Sequence, residues 1–435
     1  MITNIGLLGL GTVGSGVAKI LLEDRTLLTQ KLGWPLHLSK VLVRNVGAER
    51  NFTPPAGTLT TDPYQIVGQK GIDIVCELMG GIEPARTFIL EALEAGQHVV
   101  TANKALLAVH GQEIFEAASK ANRDVMFEAA VAGAIPVIRT LKESLSANRI
   151  QTLFGILNGT TNHILSRMTA DGLSYSDALK EAQAAGYAEA DPTADVMGYD
   201  SAHKLIVLTA LAYGVMPDLK DVFVEGITDL QPIDFAFADE FGYVIKLLAL
   251  STLCNGNDGR LEVRLHPVMI PKNHLLAGVS GAMNAVMIRG HACGDIFLSG
   301  AGAGMMPTAS SVVGDIIELA RTKHSLTSPR PPLLGWQSLK GESIKPITEV
   351  NVSYYLRFTV LDRPGVLSSI SGAFGRHNIS LAQLIQKGQR KDNDWVTLVM
   401  LTHTAQEGDL RKAIAETEAM DVVQEAKFIR IEDFL

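Results

Sequence analysis

The chain has 435 residues, 47% hydrophobic, 6% aromatic and 19% charged, a length that suggests two or three domains with ample core. A formal net charge of -8, with no run of lysine or arginine, argues against nucleic acid or an anionic membrane surface as the main partner and favours small-molecule chemistry. Three cysteines (Cys76, Cys254, Cys293) in no CxxC pair, no signal-peptide pattern and no apolar run near the ~18 residues of a membrane span lead us to expect a reducing, cytoplasmic setting.

In chain order, a short apolar strand from Ile2 to Leu8 runs straight into Gly9-Leu10-Gly11-Thr12-Val13-Gly14, after which helical spacing takes over. Strand, glycine turn and helix is an arrangement that binds a dinucleotide. Gly9 allows the tight turn, Gly11 lets the backbone approach a pyrophosphate, Gly14 permits close packing of helix on strand, and N–H groups at the helix start, from Thr12 and Val13, receive the phosphate charge. The next strand, Leu36 to Val43, ends in Arg44-Asn45, where an acid would commonly hold the ribose hydroxyls. Arginine there suits a 2′-phosphate, so NADP(H) is the expected cofactor, with NAD(H) the second choice. Strands at 72–78, 98–101 and 125–127 alternate with helices from Glu83 and from about Ala105, which predicts a doubly wound parallel sheet. Ligands bind beyond the carboxyl ends of such strands, where Gly80-Gly81 and Thr101-Ala102-Asn103-Lys104 fall, and Lys104 becomes a candidate for phosphate or substrate contact.

Two small-residue loops come next: Glu128 to Pro136 (EAAVAGAIP) and, after a strand from Gln151 to Leu157, Asn158 to Asn162 (NGTTN). A helix from Asn162 precedes Gly186 to Lys204, a segment with four carboxylates, Glu189, Asp191, Asp195 and Asp200, balanced only by the terminal lysine. Beyond Lys204 the run LIVLTALAYG reads as a buried helix. Asp200 and Lys204 stand four apart, so on a helix from about Tyr199 they share one face, with Glu189 and Asp195 able to approach from the preceding loop. A lysine entering a core is costly without a partner or a purpose; a solvated turn with an ordinary ion pair is the plainer reading. Residues 257–270 and 286–298 read as strands, and Gly300-Ala301-Gly302-Ala303-Gly304 precedes a helix from about Pro307 to Ala320. The eleven histidines are scattered, no HExxH pattern appears, and no motif supports a Ser/His/Asp nucleophile.

Prolines at 329, 331, 332 and 346, with serines and glycines between them, mark a linker. A separate unit follows it. Tyr354 to Leu361 reads as a strand, Asp362 to Gly365 as a turn, Val366, Leu367, Ile370 and Phe374 as one face of a helix, and the remaining segments complete a βαββαβ order.

Taken in order, GLGTVG, TANKAL, EAAVAGAIP, NGTTN and GYAEADPTADVMGYDSAHK resemble homoserine dehydrogenase over most of residues 1–320, and the tail, with LDRPGVL, resembles an ACT domain. The resemblance implies reduction of L-aspartate 4-semialdehyde to L-homoserine by a nicotinamide cofactor, on the route to threonine and methionine. It also implies an α/β chain made of three parts. These are a Rossmann-type doubly wound sheet (1–135), a second α/β catalytic and dimerisation domain (136–324, with 300–320 returning to the cofactor domain) and, after a linker (325–350), a ferredoxin-like ACT domain (351–435). Lys204 would then supply the proton and Lys104 would hold substrate or cofactor. Glu189 and Asp200 would bind the substrate ammonium, with Gly186 and Asp195 contributing; Asp200 would also keep Lys204 charged and oriented. Gly302 would contact the cofactor, and Glu128, Val131, Gly133 and Ile135 would hold a monovalent cation such as Na+ through the glutamate and backbone carbonyls. An amino acid such as threonine would act at the tail, in a homodimer or homotetramer. The chain opens directly on the cofactor strand, so no fused aspartate kinase is expected ahead of it. Two readings compete: a catalytically silent sensor of cofactor and amino acid, and a dehydrogenase for another amino-acid-like substrate such as aspartate itself.

Overall fold

The computed structural model describes residues 2–50, 52–254, 259–324, 333–336, 338, 339, 341, 343–387 and 395–434. Short apolar runs closed by glycine turns set the first elements: β1 (Thr3–Leu8), α1 (Thr12–Glu23), α2 (Arg25–Leu32), β2 (Leu36–Leu42), β3 (Leu59–Thr60), β4 (Ile74–Glu77), α3 (Ala85–Glu94), β5 (His98–Thr101), α4 (Lys104–Ala121) and β6 (Val125–Met126). Then come α5 (Val137–Arg139), β7 (Ile150–Ile156), α6 (Gly159–Asp171), α7 (Tyr175–Ala184), α8 (Thr193–Val196), α9 (Tyr199–Tyr213), β8 (Phe223–Val224), α10 (Pro232–Glu240), β9 (Tyr243–Leu253), β10 (Leu261–Pro271), β11 (Met283–Gly290), β12 (Gly294–Ala301) and α11 (Met305–His324). The tail supplies β13 (Asn351–Leu361), α12 (Val366–Arg376), β14 (Leu381–Lys387), β15 (Trp395–Thr402), β16 (Ala405–Gln406), α13 (Glu407–Glu418) and β17 (Val423–Ile431). No described helix is long and apolar enough to cross a membrane.

The chain divides into two compact units, 1–159 with 200–220 and 282–341, and 160–199 with 221–281 and 342–435. In the first unit, six strands lie in the order β3-β2-β1-β4-β5-β6 and pair in parallel throughout, as the alternation of strand and helix predicts. Ile5, Leu7, Ile74, Cys76 and Val100 of this sheet are buried in one core with Val17 and Leu21 of α1 and Val312, Val313 and Ile316 of α11. The glycine run at 300–304 thus does lead into a helix that returns to the sheet. At Gly16, a Cβ would lie 2.7 Å from the Met305 carbonyl, so α1 and the start of α11 meet at van der Waals distance.

The stretch 286–298, expected as one strand, is a hairpin: β11 turns back into β12 in antiparallel register. Gly294 takes φ +72, and the Asn148 side chain accepts from the N–H groups of Ala292 and Cys293, so the reversal is held from outside the hairpin. β11 also pairs antiparallel with β7.

In the second unit the path runs β9-β10-β17-β13-β15-β14, with β8 beside β10 and β16 beside β13. The strand expected at 257–270 begins at Leu261; Asn257 and Asp258 lie outside the described residues, as do 325–332 of the proline-rich stretch. The tail has the expected βαββαβ order with the short β16 added, and Tyr354, Leu356, Phe358, Ile370 and Phe374 fill its core. Its last strand lies parallel to β10 through Val268↔Arg430 and Met269↔Ile431. Beside that seam Arg430 is 1% exposed, donates twice to the Glu407 carboxylate (2.7 and 2.8 Å) and once to Glu225 (3.1 Å), and lies over the rings of Phe223 and Phe428. Such a buried guanidinium is tolerable only because each face and edge has a partner.

Candidate active site

The glycine turn has the geometry a dinucleotide needs. Gly9 takes φ +106, which any other residue would adopt only with strain, and a Cβ at Gly14 would lie 2.2 Å from the Gly9 carbonyl. Around Gly11 there is open space, with no atom within 4 Å of an added Cβ, and Gly11 and Thr12 are exposed at the start of α1 with Val13 half-buried. Arg44 is exposed two residues past the end of β2.

A buried carboxylate shapes the next loops. Glu77, at the end of β4 and fully buried, accepts from the N–H groups of Met79 (2.8 Å) and Gly80 (3.1 Å) on one oxygen and from the Thr101 hydroxyl (2.7 Å) on the other. Thr101 in turn accepts from the Asn103 N–H. Asn103 donates to the Gly81 carbonyl and caps α4 by accepting from Leu106 N–H. Lys104 is therefore the first helical residue of a turn fixed on three sides.

Lys204 lies on α9, whose residues from Ser201 to Tyr213 are buried apart from His203, as the apolar run predicts. The lysine is 8% exposed, and its ammonium donates to the Leu157 carbonyl at 2.7 Å and to Asp200 Oδ2 at 2.6 Å. The other oxygen of Asp200 faces the Lys104 ammonium at 3.0 Å, and the Asn158 amide donates to Oδ2 at 3.0 Å. One carboxylate thus joins two lysines that are a hundred residues apart in sequence. Burial pushes the Asp200 carboxyl up, but the charges of Lys204 and Lys104 and the bonds from Lys204 and Asn158 outweigh it and hold it well below the usual range.

The loop after β6 turns on two left-handed residues, Ala132 (φ +57) and Gly133 (φ +54), and packs on the 301–302 backbone. The Glu128 carboxylate accepts from the N–H groups of Ile138 and Arg139 and so caps α5, while its own N–H donates to Asp315. Burial raises both acids, Asp315 to about 7. The Gly133 carbonyl accepts from the Ser311 hydroxyl and that of Ile135 from the Val137 N–H. Val131 is buried in the same loop. Among the described residues no cluster of three or more His, Cys, Asp or Glu could hold a metal. Gly302 lies against Asn284.

Gly186, Glu189 and Asp195 belong to the other compact unit. Gly186 takes φ +76 at the end of α7, Glu189 is exposed, and Asp195 is half-buried in α8. Thr160 of NGTTN donates its hydroxyl to the Tyr187 carbonyl at 2.6 Å, tying the start of α6 to this acidic segment. Sequence reasoning missed Glu77, Leu157 and Asn158. A backbone carbonyl leaves no side-chain signal, and Glu77 in IVCE looks like any strand residue; only the asparagine of NGTTN was there to be noticed.

A parallel sheet in the order 3-2-1-4-5-6 with an open glycine turn, and two lysines wired to one aspartate, define a nicotinamide-nucleotide oxidoreductase. The family models agree: the homoserine dehydrogenase NAD-binding domain matches residues 9–128, homoserine dehydrogenase matches 136–317, and the ACT domain matches 354–421. A homoserine dehydrogenase of Neisseria gonorrhoeae is 44% identical over 423 residues, 97% of this chain and 96% of that one, and one of Synechocystis sp. is 43% identical over 98% of each. Among solved structures, a homoserine dehydrogenase from Thiobacillus denitrificans superposes with a TM-score of 0.91 at 42% identity, covering 100% of this chain and 99% of that one. A hyperthermophilic archaeal homoserine dehydrogenase in complex with NADPH gives a TM-score of 0.62 at 26% identity, covering 75% and 99%. The chain belongs to the homoserine dehydrogenase family and carries a C-terminal ACT domain. Its reaction is the nicotinamide-dependent interconversion of L-aspartate 4-semialdehyde and L-homoserine.

Proposed function

We propose that Lys204 donates the proton in this reaction and that Asp200 positions it, a reading carried by the bridge from one buried carboxylate to two ammonium groups. The bound cofactor supplies the hydride. As the aldehyde oxygen gains negative charge it needs a cation and a proton nearby. Lys204 spends two of its three N–H donors on Leu157 and Asp200, which leaves one for a substrate oxygen and fixes its direction. Lys104, on the other carboxylate oxygen, is half-exposed and so accessible to a ligand. A substrate ammonium at Asp200 would meet the charges of both lysines; Glu189, Asp195 and Gly186 are assigned to the substrate on the strength of the motif alone. A silent sensor would have no use for two wired lysines.

The test is NADPH oxidation with L-aspartate 4-semialdehyde for the native chain and Lys204→Met, with cofactor binding followed by nucleotide fluorescence. Turnover falling roughly 10²- to 10⁴-fold with cofactor affinity kept supports the assignment; turnover that survives moves the proton to Lys104 or water.

Arg44 supports NADP(H) over NAD(H), because it is exposed just past the end of β2, the strand end at which an arginine suits a 2′-phosphate. The ratio of kcat/KM for NADPH and NADH decides between them. A monovalent cation such as Na+ would take the carbonyls of Glu128, Val131, Gly133 and Ile135, since the Glu128 carboxylate already caps α5. These neutral oxygens suit a single charge. A melting temperature unchanged when Na+ is replaced by tetramethylammonium would remove that site. The ACT tail supports an amino-acid effector such as threonine, and the family a homodimer or homotetramer, which light scattering checks.

A further inference from the structure

Asn284 is 1% exposed, and neither its Oδ1 nor its Nδ2 has a hydrogen-bond partner among the described residues. A carboxamide buried with both polar atoms unmet is costly and rare, and it points to a group that completes it. Asn284 stands near the start of β11, opposite Gly300. It is also one residue beyond the pair Ala285↔Ile156, and so beside Leu157, whose carbonyl holds the Lys204 ammonium. On its other side is Gly302, where an added Cβ would lie 2.1 to 2.4 Å from the amide atoms, so only glycine lets the main chain lie there.

We infer that Asn284 receives the carboxamide of the nicotinamide cofactor, with Oδ1 accepting from its amide N–H and Nδ2 donating to its carbonyl. One unmet donor and one unmet acceptor, side by side, are what a second carboxamide satisfies together; a cation would take Oδ1 alone and leave Nδ2 without a partner. The place also suits the chemistry, because the neighbouring Leu157 carbonyl holds the ammonium of the proton donor. The Gly302 backbone covers the amide, so the 302–304 segment has to yield for contact. Glycines at 300, 302 and 304, the last at φ +118, give that segment its freedom. This inference rests on the nicotinamide reading of the site and makes Asn284 a cofactor-orienting residue.

The experiment compares dissociation constants of NADPH and its reduced 3-acetylpyridine analogue, which carries a methyl where the carboxamide has NH2, for the native chain and for Asn284→Ala. We expect the native chain to prefer the carboxamide cofactor roughly 5- to 10-fold. Asn284→Ala should bind both nucleotides equally, and should bind the analogue more weakly than the native chain does, because the acetyl group keeps the carbonyl that Nδ2 serves. A preference that persists in the variant, or one absent from the native chain, overturns the inference, and a lowered melting temperature with the preference intact assigns Asn284 to packing alone. Asn284→Ser serves if the alanine variant fails to fold. A native chain that binds neither nucleotide refutes the cofactor reading itself, and this inference with it.

Discussion

At the residue scale, Asp200 is the group on which the site depends. Its spacing from Lys204 was legible, because four residues on a helix bring two side chains to one face. Lys104 and Asn158 were not legible as its partners, since nothing local links them to it. Removing its charge leaves a buried ammonium with only neutral acceptors, and we expect Asp200→Asn to cost about 3–5 kcal/mol in urea unfolding at pH 7. The pH dependence has a definite sign. The carboxyl is held below its unfolded value, so its contribution is present above roughly pH 4 and is lost as pH falls through the depressed folded value. The gap between native and Asp200→Asn should therefore narrow as unfolding is measured at lower pH; a constant gap would mean that the ion pair is not what holds Asp200.

At the element scale, the loops that follow β4 and β5 owe their shape to one buried side chain. Glu77 takes three donors, from Met79, Gly80 and Thr101, and through Thr101 reaches the cap of α4. Glu77→Ala should lower stability by at least about 1–3 kcal/mol, the cost of buried donors left unmet, and should weaken cofactor binding as the Gly80-Gly81 turn loosens. Denaturant unfolding and nucleotide titration of the variant check both parts. The elements themselves were mostly readable, through apolar runs, glycine turns and helical spacing. The hairpin of β11 and β12 was not, because its reversal depends on Asn148, more than a hundred residues earlier.

At the scale of the whole molecule, the tail is part of a compact unit with 160–199 and 221–281 rather than a bead on a string. Its β17 pairs with β10, Arg430 meets Glu225, Arg264 meets Glu432, and Arg357 and Tyr355 both meet Asp234. Deleting residues from 351 onward should thus expose the β10 edge and take from Asp234, Glu225 and Arg264 the partners they have in the tail. We expect the truncated chain to melt well below the native one or to aggregate, which differential scanning calorimetry and light scattering would show. A truncation that melts like the native chain would mean the seam carries little. Amino-acid sensitivity is better tested on the full chain, by titrating activity with threonine and other amino acids; indifference to all of them would remove the effector reading.

The sequence by itself determined the alternating first sheet, the glycine turn, the buried lysine helix with its Asp200 neighbour, and the order of the tail. Each depends on spacing within a few residues, where backbone geometry alone decides which side chains share a face or a turn. Only the tertiary structure decided that Asp200 joins Lys204 to Lys104, that Glu77 sets the loops, that Asn284 is buried with no partner among the described residues, and that the tail is built onto β10. Those contacts join segments far apart in the chain through carbonyls and buried charges, and a buried charge is stable only where the fold brings its partner to it.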